Sequence, residues 1–329
     1  MFNSADQILN RAFESGVFTH ATCAVTHHGD VVYQAAFGNA VLDTIFDLAS
    51  LTKPVSTATL TLQLAEAGKC DIDEHVTTFF PVREHPHLAG VRIRHLLTHT
   101  SGLPPIPRTT RDDQSWADAS LSTSLTGPVG TKFQYSDTGY IILGEISKIV
   151  SGPSLAVLFR ENIARPMGFA DTGFNPGQVE RIAPTGVAPG QPHDPRTMHG
   201  ESGHAGLFGT AIELLQFLEK IRTGGAPILS AASAKLMSTN QCAPNVAFQS
   251  FGWFCQRNGL IPSGDFLGPD AFGHSGFTGT MVIIDPTLQL SMVLLTNRVL
   301  CNPTGSGDYL RVRRAWVNAI AQAIRSVNS

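Results

Sequence analysis

The stretch Phe46-Asp-Leu-Ala-Ser-Leu-Thr-Lys-Pro54 places Ser50 three residues before Lys53, at the predicted start of an amphipathic helix. Residues three apart on a helix are surface neighbours, so this spacing sets an amine beside a hydroxyl. A serine hydroxyl reacts only when another group takes its proton, and a desolvated lysine can take it or hold another base in place. The pattern alone leaves two interpretations open: a catalytic pair, or a helix-capping serine followed by a surface lysine.

The segment after Ser50 has helical periodicity. Pro54 is tolerated in a first turn, where backbone amides have no intrahelical partner, and Gly68 ends the pattern. The predicted helix is amphipathic. Its apolar face consists of Leu51, Val55, Ala58, Leu62 and Ala65.

Both ends of the chain carry runs of β-forming residues. Residues 22–38 contain two such runs around His28-Gly29-Asp30, which is a hairpin signal. Three further runs near the other end are 251–257, 280–284 and 288–296, the last two joined by a turn at Asp285-Pro286-Thr287.

The middle of the chain is predicted to be helical and rich in loops. A capping box formed by Thr210 and Glu213 starts a helix that ends at Gly224. Residues 173–209 are mostly glycine, proline and polar residues, and a loop of that length is usually functional or disordered. The other predicted helices lie within 92–102, 138–150, 155–165, 230–239 and 309–327.

These elements predict an α+β fold. An antiparallel β-sheet built from both chain ends and flanked by helices is expected, with a mainly helical region inserted in the middle. We expect a sheet domain formed by residues 1–69 and 205–329, and an inserted region formed by residues 70–204. The cleft between them is the expected site.

Composition argues against several classes of function. The chain has 329 residues, 42% of them hydrophobic, and a net charge of −3, so no nucleic acid partner is expected. No window approaches the length of a membrane span, and the N-terminus has neither the basic start nor the apolar run of a secretory signal. The five cysteines are scattered and odd in number, which is typical of a reducing compartment, so a cytoplasmic location is expected.

Two further stretches carry groups suited to chemistry. Residues 130–139 present Tyr135, Ser136 and Asp137 on a predicted loop before a helix, and a phenol there can shuttle a proton if cationic neighbours lower its pKa. Residues 273–279, Gly-His-Ser-Gly-Phe-Thr-Gly, precede a predicted strand, where an amide is a natural oxyanion donor. Taken singly, Tyr135 is better explained as a packing aromatic and the glycine-rich stretch as an ordinary turn.

Together and in this order, the motifs resemble the serine β-lactamase and penicillin-binding-protein superfamily. The resemblance is to its class C-like branch, which includes family VIII carboxylesterases, D-aminopeptidases and related amidases. It spans most of the chain. The matching segments are Asp47-Leu-Ala-Ser-Leu-Thr-Lys53, Leu96-Leu-Thr-His-Thr-Ser-Gly-Leu103, Tyr135-Ser-Asp137, Gly203-His-Ala-Gly-Leu-Phe208 and Gly273-His-Ser-Gly276.

The resemblance implies a role for each motif residue. Ser50 would be the acylated nucleophile, and Lys53 with Tyr135 would deprotonate it and then activate the deacylating water. The amides of Ser50 and Phe277 would form the oxyanion hole. The substrate-binding residues implied are Asp137, His274, Ser275 and Gly276, and neither a metal nor another cofactor is implied.

Two residues depart from the pattern of β-lactamases. Asp137 stands where those enzymes usually carry asparagine, so a carboxylate replaces an amide donor. His274 stands where they usually carry lysine, so a group only partly charged near neutrality replaces a fixed cation. Both changes are expected to weaken contacts to a β-lactam and to favour uncharged ester substrates.

The remaining histidines allow a weaker alternative. His193, Asp194, His199, Glu201 and His204 crowd one loop and read alone as a zinc site, but their spacing matches no helical metal motif. We interpret His204 as a hydrogen-bonded brace. His95 and His99 share one helix face without a third ligand, and His99 is interpreted as local loop structure.

Three hypotheses of function follow. The leading one is a metal-free serine hydrolase that acts through an acyl-enzyme on short-chain carboxylic esters, with weak β-lactam hydrolysis as an accompanying activity. The second is an amide-directed enzyme of the same superfamily, a β-lactamase or D-amino-acid peptidase. The third is a non-catalytic scaffold that keeps the fold. The acyl and alcohol pockets are expected from the loops at 104–130 and 173–205; neither the natural substrate nor the oligomeric state is predicted.

Overall fold

The computed structural model describes residues 1–109, 113–197, 199–256, 264–305 and 307–327. Its centre is a six-stranded antiparallel sheet in the order β2-β1-β9-β8-β7-β6. The sheet joins the two ends of the chain, as predicted, because β1 pairs with β9 with Cys23 opposite Leu294. The strands are β1 (His20–His27), β2 (Asp30–Gly38), β6 (Phe254–Cys255), β7 (Phe272–Gly276), β8 (Thr280–Asp285) and β9 (Leu290–Thr296).

Two terminal helices cover one face of the sheet. These are α1 (Asn3–Glu14) and α11 (Gly307–Val327), whose apolar sides pack together on the sheet. Leu9 and Trp316 are completely buried there against Met281 of β8. Successive residues of a strand point to opposite faces, so the neighbouring Val282 belongs to the core on the other side.

The opposite face packs against the mainly helical part of the chain. Val282 and Val293 contribute to a core that continues into α2 (Thr59–Glu66), α5 (Asp137–Ser151) and α8 (Ala211–Arg222). The other helices are α3 (Ile93–Leu97), α4 (Trp116–Ser122), α6 (Leu155–Phe159), α7 (Arg165–Met167), α9 (Ala231–Ser238) and α10 (Arg298–Cys301). Three short strands, β3 (Phe46–Asp47), β4 (Gly173–Phe174) and β5 (Leu207–Gly209), form a second sheet in the order β3-β5-β4.

The segment after Ser50 is not amphipathic in its first part, residues 51–60, contrary to the prediction. A 3₁₀ turn at Ala49–Leu51 and a π-helical segment at Lys53–Ala58 precede α2, and every residue from 51 to 60 is buried. Ala65, assigned to the apolar face, is only half-buried. The segment lies between the sheet and the helical region, so it is enclosed on all sides rather than along one stripe.

Two assignments in the C-terminal half are also corrected. The run 251–257 contributes only the two residues of β6, with residue 257 outside the described residues. The stretch 273–279 precedes β8, as predicted, but its first four residues themselves form part of β7, in register with β8. The predicted turn at Asp285 is present, and its carboxylate accepts from the amides of Thr287 and Leu288 at 3.0 and 3.1 Å.

The prediction of a capping box at the start of α8 is wrong, although the helix itself is present. Thr210 is the N-cap residue, but its side chain makes no capping hydrogen bond. Glu213 accepts instead from the amides of Ala170 and Asp171 and from the hydroxyl of Thr172, at 2.6, 3.1 and 2.6 Å. Glu213 therefore ties α8 to the segment that leads into β4.

The predicted long loop 173–209 begins and ends in the small sheet, because β4 and β5 lie at its two ends. Among the described residues, no single helix is both long and apolar enough to cross a membrane. Only α5 and the segment Leu155–Met167, taken together across a 76° bend, reach that length and composition.

Candidate active site

Ser50 lies in a strained turn that a buried carboxylate holds in place. Ala49, directly before it, has a φ of 46°, a left-handed conformation that is uncommon for a residue with a side chain. Asp47 accepts from the amide of Ala49 at 2.8 Å and from the amide of His193 at 2.7 Å, one with each oxygen. Burial raises the pKa of Asp47 to about 6. Asp47 has no role among the predictions from sequence, although an aspartate two residues before the amide from which it accepts is an Asx pattern, which indicates one.

Lys53 is completely buried beside Ser50. Its ammonium group donates to Ser50 Oγ at 3.0 Å and to the carbonyl of His204 at 3.0 Å, and it forms an ion pair with Asp137 at 2.8 Å. These three partners match the three hydrogens of an ammonium group. Burial lowers the pKa of Lys53, but Asp137 and Tyr135 raise it by more, so it lies above the ordinary value. The amine of Lys53 is therefore protonated and carries a positive charge at neutral pH.

Tyr135 is the third member of this group. The Lys53 ammonium lies 4.9 Å from the centre of its ring. Burial raises the pKa of the phenol by more than the Lys53 charge lowers it, so the net shift is upward. The condition stated for a proton shuttle, that cationic neighbours lower this pKa below its usual value, is not met, since desolvation dominates.

His99 supports the loop that carries Tyr135. Its ring lies against that of Tyr135, tilted by 35° with ring centres 4.5 Å apart, and its Nδ1 accepts from the amide of Ser136 at 3.0 Å. The amide of Gln134 donates to the carbonyl of His99 at 2.8 Å. Burial lowers the pKa of His99 to about 3, so the ring is neutral. His95 contacts a different group, the amide of Arg92, so the two histidines do not form a ligand pair.

Asp137 lies between two cations. One oxygen faces Lys53 at 2.8 Å and the other faces Arg196 at 2.6 Å. Arg196 also pairs with Asp194 at 2.5 Å, and Asp194 in turn contacts His204 Nε2 at 3.1 Å. Burial raises the pKa of Asp137, but Lys53, His204 and Arg196 lower it by more. The pKa therefore lies far below its usual range, and the carboxyl group is ionised.

These groups open onto a cavity of about 770 Å³. Ser50, Tyr135 and Asp137 contribute to its wall, as do residues from the predicted pocket loops and, unexpectedly, from α11. The apolar lining includes Pro105, Ile106, Phe254, Phe277 and Leu310, and the basic lining includes Arg196, Arg298 and Arg313.

The strand β7 forms the side of the cavity next to Ser50. A side chain at Gly276 would approach the carbonyl of Leu48 to 2.5 Å, so glycine allows the strand to pass this close to the nucleophile turn. Ser275 and Gly276 line the cavity, and so does Phe277, which is 53% exposed. The predicted oxyanion hole from the amides of Ser50 and Phe277 stays a prediction, with both residues on the wall of one cavity.

His274 does not line the cavity, contrary to the prediction. Its side chain is completely buried and stacks on Phe254 with ring centres 4.5 Å apart. Burial, with the charge of Lys53, keeps the pKa of His274 well below its usual value, so the ring is neutral rather than partly charged. The alternation of side chains along β7 explains the difference, because Ser275 faces the cavity and its neighbour then faces away.

The five loop residues considered for zinc do not converge. Glu201 accepts from the amide of Ala156 at 2.8 Å, and His199 is exposed. Asp137, Asp194 and His204 do bring ligand atoms within 4.8 Å of one another, but the Arg196 guanidinium pairs with both carboxylates. His204 is a brace, as interpreted from sequence, with Ser202 Oγ 2.8 Å from its Nδ1.

A family model described as Beta-lactamase matches residues 6–315 of the chain. N-acetylmuramyl-L-alanine amidase of Bacillus subtilis (strain 168) is 28% identical, over 89% of this chain and 80% of that protein. A proposed D-alanyl-D-alanine carboxypeptidase of Escherichia coli (strain K12) is 27% identical, over 90% of this chain and 82% of that protein.

Solved structures share the fold. EstCE1, described as a hydrolase with promiscuous acyltransferase activity, matches with a TM-score of 0.79 at 24% identity, covering 95% of this chain and 97% of that chain. The octameric penicillin-binding protein homologue from Pyrococcus abyssi matches with a TM-score of 0.78 at 21% identity, covering 97% and 77%. At these identities the likeness shows the fold alone, and it confirms the predicted α+β class.

Proposed function

Because the chain belongs to the beta-lactamase family and is a serine hydrolase, we propose that it hydrolyses short-chain carboxylic esters through an acyl-enzyme on Ser50. One observation carries the proposal: Ser50 Oγ lies 3.0 Å from the buried Lys53 ammonium, on the wall of a cavity of about 770 Å³. A nucleophile with a neighbouring proton-handling pair and room for a substrate is what acyl transfer requires.

The choice of esters rests on two groups that do not offer β-lactam contacts. Asp137 has both oxygens paired with cations and no amide hydrogen to donate. His274 is neutral and buried, so it supplies no charge to anchor a carboxylate. The apolar residues of the cavity suit a short, uncharged acyl or alkyl group.

The geometry supports the following steps. Ser50 Oγ attacks the ester carbonyl carbon, and its proton passes to the phenolate form of Tyr135. That form is a minor species because burial raises the pKa of the phenol, and the Lys53 ammonium, 4.9 Å from the ring centre, favours it. The carbonyl oxygen becomes an oxyanion held by the amides of Ser50 and Phe277. Tyr135 then gives the proton to the departing alcohol as the carbon–oxygen bond breaks. Water attacks the acyl group by the same route, which releases the acid and restores Ser50.

The direct test is hydrolysis of p-nitrophenyl acetate and butyrate by the wild type and by Ser50→Ala. We expect the variant to lose activity by about 10⁴-fold or more, because a nucleophile acting with its base is lost as a unit. Ser124→Ala, at an exposed serine, is the matched control and should keep wild-type rates. Full activity in Ser50→Ala would overturn the proposal.

A second candidate is an amide-directed enzyme that acts on peptides with a terminal carboxylate. Arg313 of α11 favours it, because this guanidinium lines the cavity and burial lowers its pKa, a cost that a bound carboxylate would offset. The names of the two relatives, an amidase and a proposed carboxypeptidase, point in the same direction. Comparing turnover of D-alanyl peptides, nitrocefin and p-nitrophenyl esters ranks the candidates, and clear preference for the peptides would reverse our order.

A further inference from the structure

Arg196 is a charged residue at the site that the proposed steps do not use. A local turn presents it: Asp194 Oδ1 accepts from the amide of Arg196 at 2.9 Å, and Pro195 restricts the backbone between them. The guanidinium then binds the Asp194 carboxylate through Nε at 2.9 Å and Nη2 at 2.5 Å. Two parallel bonds of this kind fix the plane of the guanidinium.

The same Nη2 reaches Asp137 Oδ2 at 2.6 Å, while Lys53 takes Asp137 Oδ1 at 2.8 Å. Each oxygen of Asp137 therefore has its own cation. If the second oxygen were free, the carboxylate could turn and accept two hydrogens from the Lys53 ammonium. The ammonium has only three, and the others donate to Ser50 Oγ and to the carbonyl of His204. By occupying the second oxygen of Asp137, Arg196 leaves one ammonium hydrogen of Lys53 for the hydrogen bond to Ser50 Oγ.

We propose that Arg196 is a positioning residue for the Ser50–Lys53 pair, acting through the orientation of the Asp137 carboxylate. The inference rests on the proposed function, since it concerns the reactivity of Ser50. It adds a second contact from the loop between β4 and β5, which already supplies the His204 carbonyl, to the nucleophile turn and the start of α5.

A purely structural role for Arg196 would predict something else. Two hydrogen bonds that do not involve Asp137 already attach residues 193–196 to the site. The amide of His193 donates to Asp47 at 2.7 Å, and Asp194 contacts His204 Nε2 at 3.1 Å. Attachment of this segment therefore does not require the contact from Arg196 to Asp137. We expect its removal to change the rate at Ser50 more than it changes stability.

The test is a double-mutant cycle of Arg196→Met and Asp137→Asn, with Arg196→Lys as the conservative variant. In the wild-type background, Arg196→Met should lower kcat for p-nitrophenyl butyrate by about tenfold to a hundredfold, the scale of a misplaced catalytic group, with little change in KM. In the Asp137→Asn background the same change should alter kcat by no more than about twofold. Arg196→Lys should recover part of the rate, because it keeps a cation beside Asp137.

Three results would overturn the proposal: an equal loss of kcat in both backgrounds, no loss in the wild-type background, or a loss confined to KM. The last would mean that Arg196 binds substrate directly. Thermal unfolding of each variant reports folding, and if Arg196→Met does not fold, the cycle is run with Arg196→Lys under the same criterion.

Failure of the proposed function remains distinguishable from failure of this inference. A fluorophosphonate phosphonylates Ser50 with loss of fluoride and needs no ester specificity, so its rate reports on the nucleophile for any natural substrate. If the wild type does not turn over esters, the same cycle is measured as phosphonylation rates. Equal losses in both backgrounds by that readout would overturn the role of Arg196 alone.

Discussion

At the scale of single residues, Asp47 links the nucleophile to the cavity rim. It accepts from the amide of Ala49 next to Ser50 and from the amide of His193 next to Asp194. Each oxygen of the carboxylate accepts one of these two amide hydrogens, and both oxygens are full acceptors only when the group is ionised. Burial raises its pKa to about 6, so this link is sensitive to mild acid.

We predict that kcat/KM falls as the pH decreases through about 6. Protonation of Asp47 weakens one of the two hydrogen bonds that its carboxylate accepts from backbone amides. The buried rings of His99 and His274 have pKa values well below the ordinary one, because burial disfavours the charged ring, and do not account for a change there. In Asp47→Asn, kcat/KM should be lower and should not fall further as the pH decreases through about 6. Asp30→Asn, at an exposed aspartate, is the control and should keep the wild-type pH–rate profile. An unchanged decrease in Asp47→Asn would exclude this assignment.

Folding stability should respond to Asp47 with the opposite sign. Its pKa in the folded chain lies above its ordinary value of 3.8, so between about 4 and about 6 the folded state binds the proton more readily. The contribution of this group to the free energy of unfolding therefore decreases as the pH rises through that window. The activity and the stability change in opposite directions, which separates them experimentally.

The motif residues were predictable only in part. The Ser50–Lys53 contact followed from spacing along three residues, and it is present at 3.0 Å. The burial of His274 did not follow, because it depends on which face of β7 meets the cavity. Arg196 was missed since nothing in the sequence shows that its loop folds back onto Asp137, 59 residues earlier.

At the scale of elements, Glu213 joins α8 to the segment before β4. It was predicted to cap its own helix, but its carboxylate accepts from three groups of residues 170–172. A local motif and a long-range contact compete for the same side chain here. Sequence reasoning detects only the local one.

We predict that Glu213→Ala lowers the free energy of unfolding by about 1–3 kcal/mol, because buried donors lose their acceptor. Ester turnover should be unaffected at temperatures where the variant is folded. Thr210→Val is the matched control, since its buried hydroxyl has no hydrogen-bond partner among the described residues, and it should leave the stability nearly unchanged. Denaturant titration measures both variants. A larger loss of unfolding free energy for Thr210→Val than for Glu213→Ala would instead support the predicted capping box.

At the scale of the whole molecule, the two chain ends meet in one core. The sheet pairs β1 with β9, and α1 packs on α11 over the same face. The alternating β-type runs predicted this sheet, because their periodicity is local. The cavity was harder to predict: Tyr309, Leu310 and Arg313 of α11 line it together with Ser50, some 260 residues away. The division into domains at residues 69 and 205 stays a prediction.

We predict that Trp316→Ala in α11 lowers the free energy of unfolding by about 3–5 kcal/mol. Trp316 is completely buried between α1 and the sheet, where the substitution leaves a cavity. Urea titration followed by circular dichroism measures the effect, with exposed Leu310→Ala on the same helix as control. A loss below about 1 kcal/mol would show that the terminal helices contribute little to the core.

The central claim is that Ser50 is a nucleophile activated by Lys53 and Tyr135. Labelling of the folded protein with a fluorophosphonate, followed by mass analysis of the peptide that contains Ser50, tests it most directly. We predict one phosphonyl adduct at Ser50, no adduct in Ser50→Ala, and slow labelling in Lys53→Met and Tyr135→Phe. Absence of label on Ser50 in correctly folded wild-type protein, or a label on another serine, would contradict it.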